Sequence, residues 1–481
     1  MTRGFSRLRL SAAALLCAGM LAASADAQLV GHAPNLGPRL TQAQVTSGAL
    51  SLLDLRREGR RIFTTPFNKL DGHGEAYDPT NPDHTSFGNR PTLQNNGTFL
   101  RVNGLDAQTC LECHGIVSNS TIPATLGIGG VGGMNTSPMF MTRNIDVDDS
   151  ANNGFAAFDG RLINPPFLFG AAGVEALGKE MTADLQALKM QAMLNPGTVI
   201  PLITKGVNFG FISYDGANFD TTGVVGIEPD LVVRPFGRKG ENFTTRDFDR
   251  GAMQFHMGMQ PVEIFDLQGL PTNTDGDGDG VVNELTIGEM SVLHLFANLQ
   301  KKPEIIPQPG AFEGFITFMA MGCGDCHKPV LVTDSNDHNF SYPDVGTDPS
   351  ANIYATVDLR QAPMNFLDMP GAGVAVFLFA DLKRHDMGAG LMESFGSPLD
   401  AQFTTARLWG IADTAPYLHD GRATTLSEAI LAHGGEALAA RNSFAGLAPG
   451  QKLNVLAMLR SLRTPVSPNT NLGPPLLNVN N

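Results

Sequence analysis

Basic side chains are scarce in this chain. Lys and Arg number 33 against 47 Asp and Glu over 481 residues, a formal net charge of −14. That deficit makes nucleic acid and anionic membrane surfaces poor partners, since both are recognised through basic patches. Long apolar runs are missing too: none reaches the roughly eighteen uninterrupted residues of a membrane-spanning helix. Five cysteines are too few to staple a chain of this length as a disulfide scaffold. Histidine is absent between His114 and His256, so that whole interval offers no imidazole to a metal. Glycine and proline, at 54 and 31 residues, are by contrast frequent. Such a composition suits long loops wrapped around cofactors better than idealised bundles.

The first 27 residues have the pattern of a secretory signal peptide. A basic start without acidic residues leads into an apolar run from Leu10 to Ala23, then Ala25-Asp26-Ala27 before Gln28. Cys17 lies within the run, and Leu16 before it is not the small residue of a lipoprotein site, so no lipid anchor is expected. A periplasmic or other outside-facing compartment follows.

The four remaining cysteines form two copies of one pattern, Cys110-Leu-Glu-Cys113-His114 and Cys323-Gly-Asp-Cys326-His327. C-x-x-C-H is the attachment signature of c-type haem. Two thiols at this spacing add to the haem vinyl groups, and the adjacent imidazole becomes the proximal ligand of the iron. The competing readings are one zinc site built from both pairs, or two dithiol switches. Neither explains a His after each second cysteine. Two covalent haems are therefore expected, with His114 and His327 on the irons.

The expected fold is mainly α with long loops: two cytochrome c-like haem domains, residues 28–200 and 305–465, and a small β-containing insertion at 201–304. Residues 28–45 read as extended and 54–63 as a short helix; 65–101 and 127–133 read as loop. Helical apolar spacing marks 181–193 and 312–321. Between Val207 and Phe236 short strands and turns are expected. Residues 287–299 read as an amphipathic helix whose His294 is packed or partly exposed. A polar loop is expected over 334–352, closing helices over 426–431 and 452–462, and a disordered tail beyond Pro465.

The run Asn273-Thr-Asp-Gly-Asp-Gly-Asp-Gly-Val-Val-Asn-Glu284 is a third chemical signal. Alternating Asp275, Asp277 and Asp279 can aim carboxylates at one hard cation, with the glycines permitting the tight bend. Counting from Asn273 puts Glu284 at the twelfth position, where a bidentate ligand belongs; counting from Asp275 puts Thr286 there. Calcium is the preferred reading, and an acidic surface turn the alternative.

Further on, Arg407-Leu-Trp-Gly-Ile-Ala-Asp-Thr-Ala-Pro-Tyr-Leu-His-Asp-Gly-Arg-Ala-Thr-Thr-Leu-Ser-Glu-Ala-Ile-Leu-Ala-His-Gly-Gly-Glu436 resembles the C-terminal signature of the bacterial di-haem cytochrome c peroxidase/MauG superfamily. With His385-Asp-Met-Gly388 it is most similar to the di-haem oxidoreductase branch. The resemblance is firm over residues 305–465 and looser over 100–200. It implies that the residue fourteen positions after His419 of the Tyr-x-His-Asp-Gly motif is the distal ligand of the C-terminal haem, and here that residue is His433. Bis-His ligation by His327 and His433 would stabilise the ferric state relative to a thioether ligand. Met387 and Met392 are competitors for that position. Trp409 and His419 are implied to lie against the haems, Trp409 either relaying electrons or simply packing.

The same resemblance puts the chemistry at the N-terminal haem. Typical members close that iron with a His sixteen residues after the cassette, but Gly130 occupies the position here. An open or water-bound iron is then expected, with His256 or Met134 as competing ligands. A carboxylate of the N-terminal domain assists peroxide cleavage in the superfamily. Glu175 is the candidate, because Phe167-Leu-Phe-Gly-Ala-Ala-Gly-Val-Glu175 echoes Arg407-Leu-Trp-Gly-Ile-Ala-Asp-Thr-Ala415; helix capping or a salt bridge is its alternative role. The implied activity is that of a periplasmic di-haem peroxidase, reacting with hydrogen peroxide and exchanging electrons with a small redox protein. A RoxA-like oxygenase using O₂ on an apolar substrate and a non-enzymatic di-haem electron carrier are the rivals.

Overall fold

A computed structural model describes residues 32–74, 107–116 and 164–466 apart from Phe395, with backbone strands at 92–93, 98–99, 139–146 and 157–163. The expected signal peptide, the 127–133 stretch, Met134 and residues 467–481 lie outside the described residues. What is described is mainly helical, with short antiparallel sheets and long loops.

Helix α1 (Gln42–Thr46) interrupts the segment expected to be extended, and α2 (Leu52–Thr64) follows. Ser51 and Asp54 close the start of α2 with a reciprocal capping box, each accepting from the other's backbone N–H at 3.2 Å. Strands β1 (Met139–Asp146) and β2 (Ala157–Ile163) pair antiparallel. Helix α3 (Ala171–Leu194) is longer than its apolar spacing suggests. Strands β3 (Val199–Thr204), β4 (Val207–Tyr214) and β5 (Phe219–Asp220) then form one antiparallel sheet. Helices α4 (Thr245–Met257), α5 (Val262–Asp266) and α6 (Ile287–Asn298) come next.

Helix α6 is not amphipathic. Every residue from Gly288 to Asn298 is buried, because α1, α2, α3 and α4 all pack against it. Phe63 of α2 meets Phe296 at 5.3 Å between ring centroids. The principal core joins residues of 36–67, the 201–304 region and the sheets beyond 331, so the stretch expected as an insertion shares its core with both flanks.

Beyond it, α7 (Ala311–Ala320) leads into the second cassette. The expected polar loop over 334–352 instead contains β7 (Asp337–Ser341), paired with β8 (Ile353–Asp358); the small ladder of β6 (Leu331–Val332), β9 (Leu367–Asp368) and β10 (Val374–Val376) brackets them. Strands β11 (Arg384–Asp386) and β12 (Gln402–Thr404) pair next. Helices α8 (Leu426–Leu431), α9 (Leu438–Gly446) and α10 (Pro449–Ser461) finish the described chain. A second core, built on Phe318, Phe379, Phe444, Val455 and Met458, packs α7 against α10 beside Cys323. Among the described residues, no helix is long and apolar enough to cross a membrane.

Candidate di-haem site

Both cassettes fold the same way. Cys110–Glu112 and Cys323–Asp325 each form one tight helical turn, and His114 N–H and His327 N–H each donate to the carbonyl of the first cysteine at 2.9 Å. Cys110 packs against the principal core and Cys323 against the second, and no ligand cluster among the described residues unites the four sulfurs. The geometry thus excludes a single zinc site made from both pairs. Burial, helped by Glu112, pushes the Cys113 thiol up to about 12, and burial pushes Cys323 up to about 11.

The histidines are held as iron ligands are held. His114 donates from Nδ1 to the Pro166 carbonyl at 2.7 Å, and His327 from Nδ1 to the Phe379 carbonyl at 3.0 Å. His433 does the same toward Ala429 at 2.8 Å. Each bond fixes the tautomer and leaves Nε2 as the free donor atom. Burial, then the proximity of His433, brings His327 down to about 4, and burial lowers His433, so both rings are in the neutral, metal-binding form. Their centroids stand 6.4 Å apart with planes 54° from each other. With metal–nitrogen bonds of about 2 Å on either side of one ion, imidazole centroids come out about 6 Å apart. The pair therefore fits one iron between two rings. No methionine is needed as its distal ligand.

His385 binds this arrangement together. Its Nε2 donates to Asp381 at 2.8 Å and its Nδ1 to Glu436 at 2.7 Å, so the ring is an imidazolium with no lone pair left for a metal. Burial works against the charge, but Asp381 and Glu436 hold the ring up to about 11. Cys326, Asp381 and His385 lie close enough to suggest a metal cluster, yet this occupancy argues against one. Asp381 is next but one to Phe379, the acceptor of His327. Glu436 follows His433 closely and also accepts the Asp386 N–H at 2.9 Å. One side chain thereby connects the segments that carry the two facing imidazoles.

The two copies of the repeated sequence, 167–175 and 407–415, meet each other. Gly170 and Gly410 both adopt left-handed backbone, at φ 81° and 79°. A Cβ on Gly170 would lie 2.6 Å from the Trp409 ring, and one on Gly410 would lie 2.7 Å from the Phe167 ring. The contact is thus reciprocal: each glycine receives an aromatic ring from the other copy. Trp409 belongs to the principal core while its neighbours Leu408 and Ile411 pack on the second. Its indole Nε1 is buried without a hydrogen-bond partner among the described residues, as expected of a donor facing a further polar group. His419 does not join the His327/His433 pair. Its ring stacks on Phe403 at 4.5 Å, and its carbonyl accepts from Asn164 N–H at 2.8 Å. Asn164 also donates to Pro416 and Leu418, so the C-terminal motif fastens the loop whose Pro166 orients His114.

Glu175 sits in the second turn of α3 and is fully buried. It accepts from Thr245 N–H at 2.9 Å, His294 Nε2 at 3.0 Å and Asn298 Nδ2 at 3.1 Å, and pairs with Lys179 at 3.1 Å. His338 Nε2 stands 3.4 Å away. Burial raises its pKa, but His294 and Lys179 outweigh that and hold the carboxylate well below its usual range. His294, expected only to pack, is instead hydrogen-bonded to this centre, a role its helical context could not reveal. Asp249 of α4, which no sequence pattern singles out, has the opposite behaviour. Burial, then Glu175 and Glu263, push it well above its ordinary value, and its Oδ2 has no hydrogen-bond partner among the described residues. It lies close enough to Cys110 to raise that thiol, and neighbouring Phe248 meets the His114 ring edge-on at 6.1 Å. Helix α4 therefore runs from the Glu175 cluster to the first cassette. His256 is half-buried in its last turn.

Away from the cassettes, Asp275, Asp277 and Asp279 bring ligand oxygens within 4.8 Å of one another. Glu284 does not join that trio; it is buried and accepts Gln260 N–H at 2.6 Å. Burial and the neighbouring aspartates push Asp277 up to about 7 and Glu284 up to about 10.

Comparison with known proteins bears on the C-terminal part. Residues 307–462 match the family described as "Di-haem oxidoreductase, putative peroxidase". No curated protein matches the chain. Among solved structures, a MauG-like protein associated with microbial copper homeostasis is similar at 16% identity, over 42% of this chain and 66% of that one, with a TM-score of 0.21. This chain thus covers just under two thirds of that protein's length. The family match covers the second cassette, both facing imidazoles and the His385 clamp, so this C-terminal part of the chain, less than half of its length, is similar to the di-haem oxidoreductases described as putative peroxidases.

Proposed function

We propose that the protein is an exported di-haem c-type peroxidase, with Cys110, Cys113 and His114 holding the reactive haem, and Cys323, Cys326, His327 and His433 the electron-storing one. The observation that carries this reading is the asymmetry of the two cassettes. The second has the His433 imidazole 6.4 Å from that of His327, so two rings would hold its iron; the first has Asp249 near Cys110 and the Phe248 ring against His114, with no second imidazole paired to His114 among the described residues.

The haem, when bound, supplies the redox chemistry and the cleavage of the peroxide bond. The protein supplies proton management. Carboxyl groups whose environments drive their affinities apart are suited to opposite roles. Asp249, kept protonated, is the proton donor. Glu175, kept ionised, anchors His294 and Lys179 and sets the charge of the pocket. Trp409, between the cores, lies on the route between the two sites. A small redox protein is the electron donor, and hydrogen peroxide the substrate; O₂ with an apolar substrate is the second reading, supported by the sequence position Gly130, which offers no closing imidazole.

Asp249→Asn and Glu175→Gln are each expected to slow peroxide turnover, Asp249→Asn by about 10²–10⁴-fold as for a lost general acid. Haem content and the spectrum of the second haem should stay unchanged. Stopped-flow mixing with peroxide checks this, and full activity in Asp249→Asn sinks its assignment.

Asp275, Asp277 and Asp279 are proposed to bind calcium, with Glu284 supporting the loop from beneath. Calcium added to chelator-treated protein should then raise the free energy of unfolding, by about 2.7 kcal/mol at a hundredfold excess over Kd, and shift the denaturation midpoint upward. Asp277→Asn should abolish the gain; an equal gain in that variant rules out the site.

A further inference from the structure

Two of the chain's five tyrosines share one buried arginine. The Arg246 guanidinium carbon lies 4.3 Å from the ring centroid of Tyr342 and 5.8 Å from that of Tyr354. Arg246 is 2% exposed and fixed by Glu263 at 2.9 Å and Ser291 at 2.8 Å, so the two rings are held on a rigid support one guanidinium apart. Each phenol also has its own base. Tyr342 donates to the exposed carboxylate of Asp266 at 2.6 Å. The Tyr354 oxygen is 3.1 Å from the Ser291 carbonyl and 3.5 Å from His294 Nδ1. Of those two acceptors only the imidazole can take the proton away. When the ring is neutral with Nε2–H donating to Glu175 at 3.0 Å, Nδ1 is the open lone pair, and the carboxylate stands where it stabilises the imidazolium that forms.

We propose that Tyr354 and Tyr342 form a redox-active pair that carries an oxidising equivalent from the Glu175 centre to the protein surface at Asp266. This rests on the reading of that centre as the proton-handling side of the first haem. A phenol is hard to oxidise unless its proton leaves with the electron, and both phenols are built for that. In the inner step Tyr354 gives one electron to the one-electron oxidant formed when peroxide reacts at the first haem. The O–H bond breaks, its proton passes to His294 Nδ1, and a neutral tyrosyl radical remains. In the outer step Tyr342 reduces that radical. Tyr354 regains its proton from His294, while the Tyr342 proton passes to Asp266. A one-electron reductant at the surface then restores Tyr342, and the proton returns from Asp266. Only the electron passes Arg246; each proton stays beside its own ring. The pair would serve a reductant too bulky to reach the buried site, such as a protein or large aromatic compound.

The test uses the di-haem protein in two arms. In the first, freeze-quenched paramagnetic resonance follows peroxide addition. A tyrosyl signal is expected in the parent; it should be lost in Tyr354→Phe and retained, with a longer life, in Tyr342→Phe. In the second, a flash-generated ruthenium(III) tris-bipyridine oxidant attacks from the solvent and needs no peroxide chemistry. There the order reverses: Tyr342→Phe loses the Arg246-associated radical and Asp266→Asn slows its formation, while Tyr354→Phe keeps it. Both phenylalanine variants retain the ring that stacks on Arg246, and near-ultraviolet dichroism checks their packing. Peroxide consumption with no signal dependent on Tyr354 overturns the relay and leaves the peroxidase reading intact. If peroxide is not consumed at all, the peroxidase reading fails, and the flash arm decides the pair: a radical indifferent to Tyr342→Phe overturns it.

Discussion

Glu175→Ala is expected to destabilise the protein by about 3–5 kcal/mol, the cost of removing one partner from a buried ion pair and leaving the other charged. Lys179 retains only the Asn339 carbonyl at 2.8 Å, and the donors Thr245 N–H, His294 Nε2 and Asn298 Nδ2 lose their acceptor together. Asn298 Nδ2 keeps Thr245 Oγ1 and the His294 carbonyl, but the groups left without Glu175 still come from α3, α4 and α6, so the loss loosens the centre of the principal core rather than one helix. The effect has a defined pH dependence. Because the folded carboxyl titrates well below its ordinary 4.5, its stabilisation is fully present above that value and is lost as pH falls through the folded value. Chemical denaturation at pH 7 and in the acid range checks this. The gap between parent and Glu175→Gln should narrow on acidification, and a gap that widens contradicts the ionised assignment.

His433→Ala is expected to convert the second haem from six-coordinate low-spin to five-coordinate or water-bound iron, without altering the first. Ferric absorption and paramagnetic resonance read this directly, and an unchanged low-spin signal would refute His433 as ligand. His385→Gln provides a graded companion. Glutamine can reach one carboxylate but cannot bridge Asp381 and Glu436, so the distal segment loses one of its two ties to β11 and keeps the Asp386 N–H bond. A mixture of spin states is expected, since ligation survives while its geometry relaxes. A short ligand loop held by a buried charge pair is sensitive to such a change, because the metal tolerates little displacement of its ligands.

Several local features are legible in the order of residues alone. Ser51 and Asp54 announce a helix start, and the apolar spacing of 312–321 places α7 within a residue or so of where it lies. Polar segments are harder to read. Residues 337–341 run Asp-His-Asn-Phe-Ser, a poor strand by composition, and become β7 only because β8 pairs with them across fifteen or so residues. Helix α6 has the apolar content of a buried helix, but one sequence does not reveal that four other helices surround it. Asp249 looks like an ordinary helical aspartate. Its shifted affinity comes from Glu175 and Glu263, neither of which adjoins it in sequence.

The sequence by itself carries the expectation of covalent haem attachment: paired thiols with an adjacent imidazole need only a local turn, and two such runs offer two attachment points wherever the rest of the chain goes. Its resemblance to the di-haem superfamily also singled out His433 and Trp409. Only the tertiary structure decided how these parts meet. It set His433 across from His327, made His385 a bridge instead of a ligand, and gathered Glu175, His294, Asp249 and the two tyrosines from distant segments. Burial and electrostatic coupling depend on neighbours in space, and neighbours separated by a hundred residues leave no mark on either local pattern.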